Sequence, residues 1–413
     1  MIARLASVPL LAVLALLLAA CRAVAVPPPE RPILILVSID GFRWDYFDRV
    51  TPPTLVALAA AGVRSEGLIA QFPTKTFPNH YTIVTGLTVA HHGIVSNNIR
   101  DVAIPGEFSL SNREVQNDPR WWGGEPIWNT VERHGLTSAA MFWPGSEVMI
   151  GGRRGTYWTP YQDDMPHAER IRRILEWLRL PAAERPSFLT LYFSDVDTAG
   201  HREGPDSQDV QEAVMRVDRS LGQLIEGVKQ SGLEDRVNYV IVSDHGMAAL
   251  SNDRTIVLDD DVIPSSVDVV DWSPVLGLIP RDGDIERVYA ALKDRHPALA
   301  VYRSHEIPAE YGLANHPRVP PIIGVAKDGW RIASKRDVFR WAHDRRTPGG
   351  AHGYDNSTRT MQGLFIAAGP RFKSGMTVGP LDNLHLYEMM CAVLGVMPAK
   401  NDGDPAATRD MLR

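Results

Sequence analysis

Cysteine is scarce in this chain: Cys21 and Cys391 are the two thiols in 413 residues. If Cys21 is lipidated or removed with a leader, Cys391 stands alone and no internal disulfide can form. Its place in the apolar helical pattern Leu386 to Leu394 reads as a packed core thiol. Basic charge is not in excess either. A formal net charge of −6 and a pI near 6.1 leave no electrostatic footprint for a stable nucleic-acid partner. A small anionic substrate would be drawn by a local cation and not by the overall field. Internal repeats and low-complexity tracts are absent. The apolar stretch Leu5 to Ala20 follows Arg4; it is short for a membrane span and the right size for an export signal. It ends in Leu18-Ala19-Ala20-Cys21, similar to a bacterial lipobox, with Cys21 then a lipidated membrane attachment point. Cleavage after Ala23-Val24-Ala25, or an uncleaved anchor, are the other readings. All three put the folded part outside the cytoplasm, in a bacterial periplasm or cell envelope.

What remains is ordinary globular composition, 44% hydrophobic and 22% charged, on a chain long enough for a large core. Three apolar runs rich in β-branched and aromatic residues read as buried strands, and each leads to an aspartate. Ile33 to Ile39 ends at Asp40. Phe188 to Ser194 leads to Asp197, with His201 four residues on. Val237 to Ser243 ends at Asp244-His245-Gly246. Helical patterns lie between them over Thr54 to Ala61, Glu125 to His134, Ala168 to Leu180 and Val210 to Gln230. Such β/α alternation predicts an α/β fold, a mostly parallel sheet with helices on both faces. Residues 1–26 read as signal and spacer, 27–251 as the first part of a core, and 252–335 as a proline-rich, cap-like α+β insertion. Residues 336–413 return to the core, with a Gly-rich loop around His352 and a buried strand over Met361 to Ala368.

Ligands in an open parallel sheet bind at the carboxyl ends of the strands. Three distant segments are therefore predicted to deliver carboxylates and imidazoles to one edge, a donor mixture that suits zinc. Asp244 and His245 can share a metal if the chain has left the strand there, and Gly246 fits such a turn. Asp197 and His201 are at i and i+4, a spacing that one helical turn or a tight loop could bring together. Taken singly, each aspartate could equally be a turn or helix cap, and a histidine in a glycine loop could be surface. The segment Thr74-Lys75-Thr76-Phe77-Pro78-Asn79-His80 suggests a loop entering a helix near Pro78. A threonine hydroxyl there is either an ordinary cap or a nucleophile aimed at an anion held by the helix N-terminus.

These segments occur in order with His92-Gly93-Ile94-Val95-Ser96-Asn97, Trp143-Pro144-Gly145-Ser146, Ser243-Asp244-His245-Gly246-Met247 and His352-Gly353-Tyr354. Together, from about Ile33 to Cys391, they resemble the nucleotide pyrophosphatase/phosphodiesterase family of the alkaline phosphatase superfamily, in a bacterial form limited to the catalytic domain. The resemblance implies an alkaline-phosphatase-like fold and two zinc ions. Asp40, Thr76, Asp244 and His245 would hold one, and Asp197, His201 and His352 the other. It implies a Thr76 nucleophile and a covalent nucleotidyl-threonine that water resolves to a nucleoside 5′-monophosphate. Asn97 would donate to a phosphoryl oxygen, and Phe77 and Tyr161 would sandwich the base. The expected partner is a nucleotide or other small phosphodiester. Choline-type lipid diesterases and phosphate monoesterases of the superfamily are the nearest alternatives, with a surface metal-binding protein as a non-enzymatic one. A sulfatase is disfavoured, because no Cys/Ser-x-Pro-x-Arg segment occupies the nucleophile position.

Overall fold

Seven consecutive buried residues, Ile33–Ile39, form the central strand of the sheet. The computed structural model describes residues 31–344 and 348–413, so the export-signal and Cys21 readings fall outside the described residues. In chain order the strands are β1 (Ile33–Ile39), β2 (Val63–Ser65), β3 (Ser138–Met141), β4 (Tyr157–Trp158), β5 (Phe188–Phe193) and β6 (Val237–Val242). Next come β7 (Val267–Asp271), β8 (Val275–Pro280), β9 (Leu299–Arg303) and β10 (Ile322–Ala326). The last are β11 (Phe365–Ala368) and β12 (Met376–Val378). The central sheet has the order β12-β2-β11-β6-β1-β5-β3-β4. Strand β1 runs parallel to both β5 and β6, and only β11 runs antiparallel to its neighbours in this sheet. The architecture is α/β, a mostly parallel sheet with helices on both faces.

Both faces of β1 are covered, which is why its sequence is apolar without alternation. Leu34 and Leu36 pack into one core with Tyr81, Ile83 and Leu386, whereas Ile33, Ile35, Val37 and Ile39 pack into the other with Leu55, Ile174 and Leu221. The covering helices are α1 (Pro53–Ala61), α2 (Thr76–Thr85), α3 (His167–Leu178), α4 (Asp195–Glu203) and α5 (Gln208–Gln230). Further on, α6 (Ile285–Leu292) packs on a second sheet, α7 (Lys335–Asp344) has no buried residue, and α8 (Leu386–Leu394) covers the central sheet. Strands β7 to β10 make a separate antiparallel sheet, order β7-β8-β10-β9, with its own apolar cluster that includes Leu276, Leu278, Val288 and Ile322. Among the described residues no helix is long and apolar enough to cross a membrane.

Three local expectations change. The stretch Gly67 to Phe72, strand-like in its sequence pattern, forms a strand over Leu68–Ile69 alone. Beyond it, side chains replace the ladder: Asn79 accepts from Gln71 N at 2.7 Å and donates to Gln71 O at 3.1 Å, and Asn356 donates to Ala70 O. Helix α2 begins at Thr76, two residues before Pro78. The first turn of a helix has no intrahelical partner for its N–H groups, so a proline at the third position costs no hydrogen bond. The late strand likewise starts at Phe365 and not at Met361, because Arg359–Met361 forms a 3-10 turn.

Candidate functional site

Asp40 follows β1, Asp197 lies in the first turn of α4 just after β5, and Asp244 follows β6. Since β5, β1 and β6 are adjacent and parallel, their carboxyl ends bring the three aspartates together. Two glycines permit the approach. Gly41 has φ +68°, and a Cβ there would lie 2.8 Å from the Asp197 backbone. Gly246 has no left-handed φ; it is required because a Cβ would meet the Thr360 carbonyl at 2.1 Å. The expected reason for Gly246, a turn of unusual φ, is thus replaced by close backbone packing.

The histidines complete the cluster. His245 Nε2 lies 3.0 Å from Asp244 Oδ2 and 3.4 Å from Asp40 Oδ1. His201 Nε2 and His352 Nε2 lie 3.4 and 3.7 Å from Asp197 Oδ1. The sequence-predicted residues therefore converge in two overlapping groups, Asp40/Asp244/His245 and Asp197/His245/His352, with His245 at the junction. His201 is at the rim, its side chain 45% exposed. Each imidazole is oriented from behind. His245 Nδ1 bonds Gly246 O at 2.9 Å, His352 Nδ1 bonds Thr74 O at 2.9 Å, and His201 Nδ1 bonds Gly350 O at 3.0 Å. A carbonyl only accepts, so each Nδ1 carries the proton and each Nε2 lone pair faces the cluster.

The carboxylates show the same polarity. Asp40 Oδ2 accepts from the Tyr192 hydroxyl at 2.7 Å, and Asp244 Oδ1 accepts from Gly41 N at 3.3 Å. The oxygens turned inward, Asp40 Oδ1, Asp197 Oδ1 and Asp244 Oδ2, are buried without any hydrogen-bond partner. Buried acceptors are normally satisfied, and leaving three together is costly unless a cation completes them. Carboxylate oxygens with Nε2 lone pairs are the donor set of a divalent ion such as zinc. Charge regulation agrees. Burial, with Asp244 and Asp197 close by, pushes Asp40 well above the usual carboxylate range. Burial works against a charged His245, yet Asp244, Asp40 and Asp197 hold it up at about 10, so with no cation in the cluster its Nε2 takes a second proton that a bound metal would displace. His352 is pushed well down by burial and by the neighbouring His245 and His201, so it stays a neutral donor. The cluster draws positive charge to one point.

Thr76 is the first residue of α2, with its hydroxyl 3.4 Å from His245 Nε2. Asn97 Oδ1 accepts the Phe77 backbone N–H at 2.9 Å, satisfying one of the orphan donors of the helix start. Among the described residues its Nδ2 has no hydrogen-bond partner. Phe77 packs edge-on to Phe108 and against Trp122. Phe77 and Tyr161 both line a cleft of about 400 Å³ that also reaches Asp40, Thr76, Asp197 and Trp143. Nine of the ten expected site residues thus line this cleft or belong to the cluster, and Asn97 joins them through the Phe77 backbone N–H.

Sequence reasoning missed the groups that support them. Tyr192 sits inside a strand run, where an aromatic is ordinary core. His80 bonds Thr76 O at 2.9 Å and Ser38 Oγ at 2.8 Å, and its Nδ1 lies 3.3 Å from Asp244 Oδ2. Lys75 pairs with Asp271 of β7 at 2.5 Å, and Ser96 donates to the same carboxylate. None of these has a local signal, since each is defined by a partner far away in sequence.

A sequence model of the family described as type I phosphodiesterase / nucleotide pyrophosphatase matches residues 34–355. Human ectonucleotide pyrophosphatase/phosphodiesterase family member 5 is 36% identical over 385 residues, 93% of this chain and 79% of that protein. Venom phosphodiesterase CdcPDE of Crotalus durissus collilineatus is 37% identical over 399 residues, again 93% of this chain but 47% of the venom protein. The chain thus spans about half the length of that relative. The solved human family member 5 superposes with a TM-score of 0.87 at 35% identity, covering 92% of this chain and all of that one. An inactive threonine-to-alanine variant of the murine protein in complex with AMP gives the same TM-score at 35% identity, over 93% of this chain and 100% of that one.

Proposed function

Because the chain belongs to the type I phosphodiesterase / nucleotide pyrophosphatase family, we propose that it hydrolyses phosphodiester and pyrophosphate bonds of nucleotides and releases nucleoside 5′-monophosphates. The observation that carries this reading is the set of three partnerless carboxylate oxygens and inward Nε2 atoms beside the Thr76 hydroxyl. Asp40, Thr76, Asp244 and His245 would hold one zinc ion, and Asp197, His201 and His352 a second. When bound, zinc supplies positive charge that lowers the pKa of a hydroxyl and offsets charge on phosphoryl oxygens.

Thr76 Oγ1 is the nucleophile. It bonds to phosphorus as the bond to the leaving oxygen breaks, and water then cleaves the threonine ester. Its position at the start of a ten-residue helix adds the favourable pole of the helix for the phosphoryl anion. Asn97 Nδ2 donates to a non-bridging oxygen while Oδ1 stays anchored on Phe77 N, so the group is oriented before substrate arrives. Phe77 and Tyr161 face the base, and stacking of this kind tolerates any base. The inactive murine threonine variant with AMP, and the nucleotide-based names of the relatives, favour this substrate class over choline-type lipids or simple monoesters. The ecto- and venom designations of the relatives fit an exported protein.

The test sets p-nitrophenyl thymidine monophosphate beside p-nitrophenyl phosphate and p-nitrophenyl phosphorylcholine, with and without chelator. Strong preference for the first, abolished by chelation, is expected. A preference for the monoester or chelator-insensitive turnover would overturn the reading. Thr76→Ala should remove nearly all activity while bound metal largely survives; substantial residual turnover would show that threonine is not the nucleophile.

A further inference from the structure

Asp271 is the last residue of β7, on the separate antiparallel sheet, yet its carboxylate is bonded to the segments that carry Thr76 and Asn97. Its Oδ2 accepts from Lys75 Nζ at 2.5 Å and from Ser96 Oγ at 2.6 Å, and its Oδ1 accepts from Asn98 Nδ2 at 3.5 Å. Lys75 is the residue before Thr76. Ser96 and Asn98 are the residues on either side of Asn97. One side chain therefore holds the immediate chain neighbours of both the threonine hydroxyl and the Asn97 amide.

Each contact has a physical reason to persist. The Lys75 side chain is 5% exposed and that of Asp271 12%. A buried ammonium needs an ionised partner, and among the described residues Asp271 is the one carboxylate that pairs with it. The Lys75 stem is also packed tightly, since a Cβ on Gly353 would lie 3.2 Å from Lys75 Cε. Asp271 is itself aimed by its strand. β7 carries an extra residue between Val269, opposite Leu278, and Asp271, opposite Gly277. A bulge of this kind re-aims the side chain next to it. The Trp272 backbone N–H then donates to Oδ1 at 3.0 Å and fixes the carboxylate plane.

The link bears on the reacting groups through geometry. Asn97 Oδ1 is anchored on Phe77 N, which fixes one end of the carboxamide. The direction of Nδ2 then depends on where the Asn97 backbone lies, and Asp271 holds that backbone through both neighbours. Lys75 enters α2 with an extended backbone, and its side chain is tied to the same carboxylate. We propose that Asp271 is a positioning residue for phosphoryl transfer, which sets the Thr76 hydroxyl and the Asn97 amide at their working separation and gives the second sheet a part in catalysis. The inference rests on the diesterase reading above, in which Thr76 attacks and Asn97 donates. A pin that only fastened the two sheets together would act without regard to Asn97.

The experiment is a double-mutant cycle between Asp271→Asn and Asn97→Ala on the zinc-loaded protein, with p-nitrophenyl thymidine monophosphate as substrate. Asparagine keeps the volume and one acceptor oxygen, and it loses the charge that holds Lys75. Asp271→Asn should lower kcat about 10- to 100-fold, the cost of misplacing a reacting group by about 1 Å, with KM within about twofold of its starting value and bound zinc unchanged. Asn97→Ala should lower kcat about 100- to 1000-fold. A brace has nothing left to position once the donor is gone, so adding Asp271→Asn to Asn97→Ala should cost less than about a further threefold. Ser96→Ala removes one arm of the brace and no charge; it should lower kcat less than Asp271→Asn does and show the same dependence on Asn97. An unchanged kcat in Asp271→Asn, losses that multiply in the double variant, a change in KM alone, or a loss that tracks missing zinc would overturn the brace and leave the diesterase reading standing. An unchanged kcat in Asn97→Ala would overturn the role of Asn97 in that reading, and the brace with it.

Discussion

Replacing Tyr192 by phenylalanine removes one oxygen and isolates the role of the support behind the cluster. The Tyr192 hydroxyl donates to Asp40 Oδ2 at 2.7 Å, and Asp40 is 1% exposed, so water cannot take the vacated place. Burial, and then the Asp40 carboxylate, hold the phenol well above its usual pKa, so it is a neutral donor throughout the neutral range. A hydrogen bond to a buried charged group contributes about 1.5–3 kcal/mol. Without it Asp40 loses its orientation and prefers its protonated form, which competes with metal. Converted at 1.4 kcal/mol per tenfold, the expected loss of metal affinity is about 10- to 100-fold, which agrees with the usual effect of removing a group that orients a ligand. Titration of the metal-free Tyr192→Phe protein with zinc against a competing chelator reads this directly. Activity should recover at saturating zinc, since the hydroxyl is engaged by Asp40 and phenylalanine keeps the ring that lines the cleft. An affinity within about twofold of the starting protein would refute the argument, as would a loss of activity that excess zinc does not restore.

Three further outcomes follow from other parts of the molecule. Phe77→Ala should raise KM for a nucleotide diester about tenfold with kcat largely retained, because stacking acts on ground and transition states alike; steady-state kinetics decide, and a pure kcat loss would place Phe77 elsewhere in the chemistry. Asp218 caps α1, accepting from Leu55 N at 2.9 Å and Thr54 N at 3.1 Å, so Asp218→Ala should lower stability by about 1–2 kcal/mol in denaturant unfolding without changing kcat. His92 is fully buried and burial holds its imidazole down at about 3, below its usual 6.5; its Nδ1 accepts from Ile94 N. The unfolded chain therefore takes up this proton first, so stability is complete above pH 6.5 and falls as the pH drops toward 3, by up to about 1.4 kcal/mol per pH unit. His92→Gln should flatten that part of the stability profile, and an unchanged slope would show that other groups set it.

The strands with their terminal aspartates were legible because burial on both faces leaves an unbroken apolar run, and the run ends where the polar residue appears. Helix α5 was legible for a similar reason, with Val214, Val217, Leu221 and Leu224 on one face. The start of α2 was less so. Proline reads as a first-turn residue, but the first three positions of a helix are all permissive to it, so the sequence placed the start at Pro78 where the fold begins at Thr76.

By itself the sequence determined which residue types could bind metal and attack phosphorus, the α/β class and the family resemblance, because periodicity and motif order are properties of the chain. Only the tertiary structure decided which atoms face inward. The orphaned oxygens of Asp40, Asp197 and Asp244, the Nδ1 bonds of His201 and His352 to Gly350 O and Thr74 O and the Tyr192 hydroxyl on Asp40 all depend on contacts between segments tens to hundreds of residues apart. A hydrogen bond is set by distance and direction in space, and no local pattern along a chain encodes either.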